Sequence, residues 1–328
     1  MLDKMQRLNN CRFDESPVSA FQPLRISSLG LYYSPISATT FIWRNNTLVK
    51  FNIERKMIKT NGLNLFCRDT GGDGPAMLCL HGRWGRGETW IDLISRYAGR
   101  YRIIAPDQRG HGLSDKPVAR YAGEDLAGDA HGIIQRLNCG PVVAVGHSMG
   151  GRVAAYLTAL HPQDVKALAI LDEPAEGREK PSDLTPEKIA PVDKLTTDWP
   201  TPYPSYDAAV RHLSEKFPRS TNVRYFMESL METPSGYDYM FSRHAMSAIN
   251  QYSQRWHHLL PQLKCPVLLV RATESWCLSA EEADRMRAAI GDCTCFEVSN
   301  SDHMVYADNP GEFYSGFEEF LRKVESTE

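Results

Sequence analysis

Five stretches of the chain carry apolar residues in unbroken runs rather than in alternation: AMLCLHG (76–82), YRIIAPD (101–107), PVVAVGHS (141–148), VKALAILDE (165–173) and CPVLLVRA (265–272). Short apolar runs without polar punctuation suit strands covered on both faces, as in parallel sheets. Residues 148–161, 279–290 and 311–325 instead repeat their apolar positions at the helical period. Strands alternating with helices predict an α/β fold, a mostly parallel central sheet flanked by helices. Upstream, Asn61-Gly62 separates two apolar runs in MIKTNGLNLFCRDTG, the signature of a tight hairpin. The fold proper is predicted to begin near residue 51.

The rhythm fails in two places. Residues 1–50 mix Asn, Ser, Pro and scattered aromatics without a sustained period, and are set apart as an N-terminal extension of unassigned structure. Residues 174–262 open with seven prolines between Pro174 and Pro204, followed by helix-like, aromatic-rich stretches such as YDAAVRHLSEKF and VRYFMESLMET. With no buried-strand run of its own, this segment reads as a mostly helical cap inserted over one edge of the sheet. It divides the core into residues 51–173 and 263–328.

Composition narrows the function classes. A length of 328 residues accommodates one large α/β domain with an insertion. The net charge of −3 arises from 37 basic and 40 acidic residues with no basic stripe, which argues against a nucleic-acid partner. No apolar run approaches the roughly 20 residues of a membrane span. The N-terminus also lacks the order of a secretory signal, so a cytoplasmic location is expected. The eight cysteines are too sparse for a disulfide framework, and Cys293 and Cys295 alone cannot complete a zinc site. They read as reduced thiols.

The chemistry centres on Gly146-His147-Ser148-Met149-Gly150, which fits G-x-S-x-G where a buried strand gives way to a helix. Such a turn is too tight for side chains two residues either side of the serine. The Met149 N–H, at the new helix N-terminus, is aimed toward a developing oxyanion. Three further motifs follow the order of a known family: LHGRWGRGETW (80–90), PDQRGHGLSDKP (106–117) and SDHMVYADNPGEF (301–313). From about residue 51 to its C-terminus the chain resembles the α/β-hydrolase-fold serine hydrolases.

The resemblance implies Ser148 as nucleophile, His303 as base, and the N–H groups of Met149 and Arg83 as the oxyanion hole. Trp84 is the candidate for lining the substrate pocket, whereas the cap's aromatic residues, taken singly, read more plainly as its own core. Arg83 and Arg86 could offer guanidinium groups to a substrate carboxylate, although loop arginines are more often solvated. His81 and His111 are expected to hold their loops and His147 to support the elbow. The acid is open. Most relatives carry an aspartate where this chain has Ser275, in RATESWCLS. Asp172, at the end of the preceding strand, is the first choice, as in relatives with a serine at this position. Glu274 is the alternative and Glu173 a third. A serine nucleophile argues against haloalkane dehalogenase and epoxide hydrolase chemistry.

The expected activity is hydrolysis of carboxylic esters of small to medium substrates through an acyl-serine intermediate, with no cofactor and no metal. A lactonase and a hydrolase of carbon–carbon bonds beside a ketone are alternatives on the same scaffold. A non-enzymatic ligand-binding protein with this fold is the alternative of another class. Oligomeric state is not legible.

Overall fold

The computed structural model describes residues 39–44 and 47–326. Strands β1 (Thr39–Arg44) and β2 (Thr47–Asn52) pair antiparallel in a small sheet of their own. This hairpin lies where the sequence pattern suggested no element, because TTFIWR and TLVKFN alternate too irregularly to be assigned. The rest of the expected extension lies outside the described residues.

The predicted hairpin is β3 (Glu54–Thr60) and β4 (Leu63–Asp69), paired antiparallel in full register. Asn61 and Gly62 turn it with φ of 51° and 76°, the left-handed geometry that this dipeptide adopts at low cost. The five apolar runs become β5 (Ala76–Leu80), β6 (Arg102–Pro106), β7 (Val142–His147), β8 (Val165–Leu171) and, after the insertion, β11 (Val267–Ala272). With β12 (Cys293–Val298) they form an eight-stranded sheet in the order β12-β11-β8-β7-β5-β6-β4-β3. The six strands from β12 to β6 are parallel. Helices α1 (Ile91–Tyr97), α2 (Gly123–Leu137) and α3 (Met149–Leu160) follow β5, β6 and β7.

Both faces of the sheet are covered, which explains the unbroken apolar runs. In β5, Leu78 and Leu80 pack with α2 and α3 residues in one core cluster, while Met77 and Cys79 join α1 residues on the other face. The strand missed by pattern, β12, is CTCFEV at the sheet edge, with one strand neighbour and mostly partial burial. Partial cover removes the need for an uninterrupted apolar run.

Between β8 and β11 the chain forms α4 (Tyr206–Lys216), α5 (Ser220–Met227), the hairpin β9 (Leu230–Thr233) and β10 (Gly236–Tyr239), and α6 (Arg243–Tyr252). None of these strands joins the central sheet. The insertion is not one unit. Trp199, Tyr203, Leu213, Phe226 and Met227 make a separate core, whereas Ala245, Met246 and Ile249 of α6, with Trp256, Leu259 and Leu260, belong to the cluster on α2 and α3. The chain closes with α7 (Ala280–Ala289), α8 (Val305–Asp308) and α9 (Pro310–Glu325), whose Phe313, Phe317 and Phe320 fill the α1 face. No helix among the described residues is long and apolar enough to cross a membrane.

Candidate active site

Ser148 sits between β7 and α3 with φ 51° and ψ −130°. This is a backbone conformation that L-residues avoid, at a cost of about 1–3 kcal/mol. The Ser148 N–H donates to Leu171 O at 2.9 Å, tying the turn to the neighbouring strand end. The two flanking glycines are steric requirements. A Cβ at Gly146 would lie 2.1 Å from Gly150 O, and one at Gly150 would lie 2.0 Å from Leu80 O. Gly150→Ala is therefore expected to destabilise the protein by about 3 kcal/mol or more, since the backbone at Leu80 and His81 must move. A thermal melt beside the wild type checks this, and an unchanged Tm would contradict the packing described.

His303 lies in the loop between β12 and α8, and that loop is fastened at both ends. Ser299 N–H and Oγ–H donate to Glu312 Oε2 at 2.8 and 2.6 Å, and Asp302 N–H donates to Asp308 Oδ2 at 3.0 Å. The His303 carbonyl accepts the Nε2–H of buried His147 at 2.9 Å. Burial holds the His147 imidazole neutral, well below the usual histidine range. His147 thus binds the elbow to the His303 loop. His81 and His111 are likewise buried, pushed down to about 4 and about 3 by desolvation. They bond backbone: His81 Nε2 accepts from Gln108 N–H at 2.9 Å, and His111 Nδ1 donates to Arg109 O at 3.0 Å.

The structure brings His303 to Asp172. The two meet at 2.8 Å, Nδ1 to Oδ2. Asp172 is fully buried at the end of β8, with φ 52°. Its carboxylate collects further donors: Ala272 N–H at 2.9 Å on Oδ1, and Ser275 Oγ–H at 2.8 Å and the Cys277 thiol at 3.4 Å on Oδ2. Cys277 Sγ also lies 3.3 Å from His303 Nδ1, and burial pushes its thiol pKa far up, favouring the protonated form. Ser275 holds the carboxylate from the turn that follows the neighbouring strand β11. Glu274 points away, to Arg219 Nη2 at 2.6 Å, with more than half of its side chain exposed. Glu173 faces Arg152 at 3.8 Å instead of His303, and desolvation raises its pKa.

The loop after β5 brings its backbone beside Ser148: a Cβ at Gly82 would lie 3.1 Å from Ser148 Cβ. Met149, the first residue of α3, carries one of the N–H groups that helix geometry leaves without an internal acceptor. Arg83 follows Gly82, and its carbonyl accepts from Tyr225 Oη of α5 at 3.1 Å. Trp84 has φ 68° and donates its indole N–H to Asp193 Oδ2 at 2.9 Å. Arg86 turns to Glu228 O at 2.5 Å. Sequence reasoning did not single out Tyr225 or Cys277. The first reads as one more aromatic on an amphipathic helix, and the second is an isolated thiol until the fold places it against Asp172.

Two chambers meet at the serine. The larger, about 430 Å³, is walled by Leu195, Phe217, Phe226 and Met304, and by Ser148 and His303. The smaller, about 160 Å³, is bordered by Arg83, Arg152, Glu173 and Asn250. Ser148, Arg83, Trp84 and Trp276 border both. Much of the insertion's aromatic content is its own core, with Trp84 packed against it. Among the described residues two groups bring potential metal-ligand atoms within 4.8 Å of one another. One is Asp172, Cys277 and His303, already hydrogen-bonded together. The other is His131, His161 and Asp164, where the imidazoles stack at 3.9 Å and 8°, so their lone pairs lie in separate, nearly parallel planes, and His131 Nδ1 is hydrogen-bonded to Asp164 Oδ2 at 2.5 Å. The seven described cysteines are free thiols.

A serine on a strained strand-to-helix turn, in a parallel sheet with a histidine loop after its edge strand, defines the hydrolase class. Residues 75–310 match the model of the alpha/beta hydrolase fold family, and the chain belongs to that family. It is 29% identical over 244 residues to a 2-(acetamidomethylene)succinate hydrolase of Mesorhizobium japonicum, covering 73% of this chain and 85% of that one. It is 24% identical over 241 residues to an (E)-2-((N-methylformamido)methylene)succinate hydrolase of Acinetobacter baylyi, covering 73% and 87%. The crystal structure of an E-2-(acetamidomethylene)succinate hydrolase superposes with a TM-score of 0.72 at 25% identity, over 83% of this chain and 100% of that one.

Proposed function

We propose that the protein is a serine hydrolase that cleaves carboxylic esters of small to medium substrates through an acyl-Ser148 intermediate. The observation that carries this reading is the 2.8 Å contact between His303 Nδ1 and Asp172, in a chamber that His303 shares with Ser148. Asp172 accepts a hydrogen bond from His303 Nδ1–H and so fixes the tautomer that leaves Nε2 basic. His303 Nε2 takes the Ser148 hydroxyl proton as Oγ bonds to the substrate carbonyl carbon. The N–H groups of Met149 and Arg83 receive the resulting oxyanion. The C–O bond to the leaving group then breaks, and that oxygen takes the proton from His303. A water molecule, deprotonated by His303, adds to the acyl carbon, and Ser148 departs with the returned proton. The residues around the larger chamber supply its apolar wall, with the insertion acting as a cap that shapes it.

The second reading is the same nucleophile acting on a lactone, or on a carbon–carbon bond beside a ketone. It is kept beside the first because the two relatives named above are, by name, hydrolases of substituted methylene succinates, substrates that carry no ester. The reading as a ligand-binding protein does not account for a donor-saturated Asp172 aimed at His303.

A fluorophosphonate probe with peptide mapping tests the proposal, alongside turnover of p-nitrophenyl acetate and butyrate. Stoichiometric labelling at Ser148 with turnover is expected. Labelling without ester turnover favours the second reading, and neither labelling nor turnover overturns the enzyme reading.

A further inference from the structure

The smaller chamber is the more polar of the two. Arg152 lies on α3, one helical turn beyond Ser148, with about 9% of its side chain exposed. Arginine is almost never buried this far without a matched partner. Its Nη1 is given to Ser253 Oγ, and the nearest carboxylate, Glu173 Oε1, stands at 3.8 Å, beyond hydrogen-bond length. The Arg83 guanidinium stacks 3.9 Å over the Trp84 ring and gives its Nη1 to Asn250 Oδ1. Each guanidinium has five N–H donors, and among the described residues the others on both groups are left without a hydrogen-bond partner. Asp193 lies within electrostatic reach of Arg83, but it is engaged by Trp84 and Thr196 and does not border the chamber. Two guanidinium groups therefore face one carboxylate in a space of about 160 Å³ that opens on the nucleophile. Desolvation raises the pKa of that carboxylate, Glu173, against the opposing pull of Arg152, His303 and Arg83.

We propose that this chamber binds a carboxylate of the substrate, with Arg152 as its principal anchor. The substrates are then acyl compounds with a short carboxylate arm on one side of the scissile carbonyl and an apolar group on the other. The apolar group occupies the larger chamber, and the carboxylate accepts from the free N–H groups of Arg152 and Arg83, the geometry in which guanidinium is strongest. This inference rests on the acyl-Ser148 reading.

The test compares p-nitrophenyl butyrate with mono-p-nitrophenyl glutarate, corrected for spontaneous hydrolysis, on the full chain. The wild type is expected to show kcat/KM at least 10-fold higher for the glutarate ester. In Arg152→Gln this ratio is expected to fall at least 10-fold, chiefly through KM, and Arg152→Lys is expected to restore part of it. Glutarate is expected to inhibit butyrate hydrolysis competitively and glutaramide not to. These inhibitor measurements on the wild type decide the matter if the Arg152 variants do not fold. Equal kcat/KM for the two esters, or inhibition by glutaramide as strong as by glutarate, overturns the carboxylate assignment while the acyl-serine reading stands. Absence of both turnover and fluorophosphonate labelling marks failure of that earlier reading instead.

Discussion

Ser148→Ala is expected to lower kcat/KM for p-nitrophenyl butyrate by about 10,000-fold or more, the loss that follows removal of an attacking serine in such triads. Fluorophosphonate labelling is expected to disappear with it. The reason is local. The backbone of Ser148 makes the structural contact, its N–H donating to Leu171 O at 2.9 Å, and alanine retains that bond. Alanine also meets the same backbone strain at φ 51° as serine does, so the folded state gains no new penalty. Although Ser148 stands at the N-cap of α3, its side chain makes no capping bond, so the Tm is expected to stay within about 2 °C of the wild type. Activity and stability thus separate at this position, whereas Gly150→Ala is expected to lose both. A Ser148→Ala protein that retains wild-type turnover would show that the elbow is not the nucleophile.

Legibility in the sequence followed burial. Strands β5 to β8 and β11 were readable because helices cover both faces, so nearly all their central positions are apolar. The edge strand β12 has one strand neighbour and reads CTCFEV, so its pattern carries no such signature. Helix α2 was missed for another reason: GEDLAGDAHGIIQRL holds three glycines, which dilute its helical period. The elbow and the His303 loop were legible because their chemistry is local, a few residues of fixed type around one turn. The acid partner was legible only as a preference for Asp172 carried by the resemblance, since Asp172 and Glu274 both stand just past strand ends on the same edge of the sheet. What separates them is side-chain direction. Asp172 turns inward at φ 52° to meet Ala272 N–H and His303, and Glu274 swings out to Arg219 on the insertion. No short motif encodes either contact, because the partners lie 131 and 55 residues away in sequence.

Asp172→Asn is expected to reduce kcat by about 10,000-fold with KM much less affected, while Glu274→Gln stays within about 3-fold of wild type. The argument turns on proton direction. Every polar group around the Asp172 carboxylate donates to it: Ala272 N–H, Ser275 Oγ–H, the Cys277 thiol and His303 Nδ1–H. A carboxylate accepts on both oxygens, but an asparagine amide must present an NH₂ group to one side. If the NH₂ faces His303, Nδ1 must become the acceptor, the proton moves to Nε2, and the base that Ser148 needs is lost. If the amide turns over, the NH₂ confronts the Ala272 N–H, and that clash of donors costs about 1–3 kcal/mol in a fully buried site. Either orientation also removes the negative charge that steadies the imidazolium formed during acyl transfer. A moderate fall in Tm is therefore expected alongside the larger fall in kcat. Glu274, paired with Arg219 at the surface, contributes at most a weak ion pair and stands outside this proton path. Kinetics and melts on the two variants check both halves. Near-normal kcat in Asp172→Asn, or a collapse of kcat in Glu274→Gln, would reassign the acid and leave Ser148 and His303 to work with a different partner.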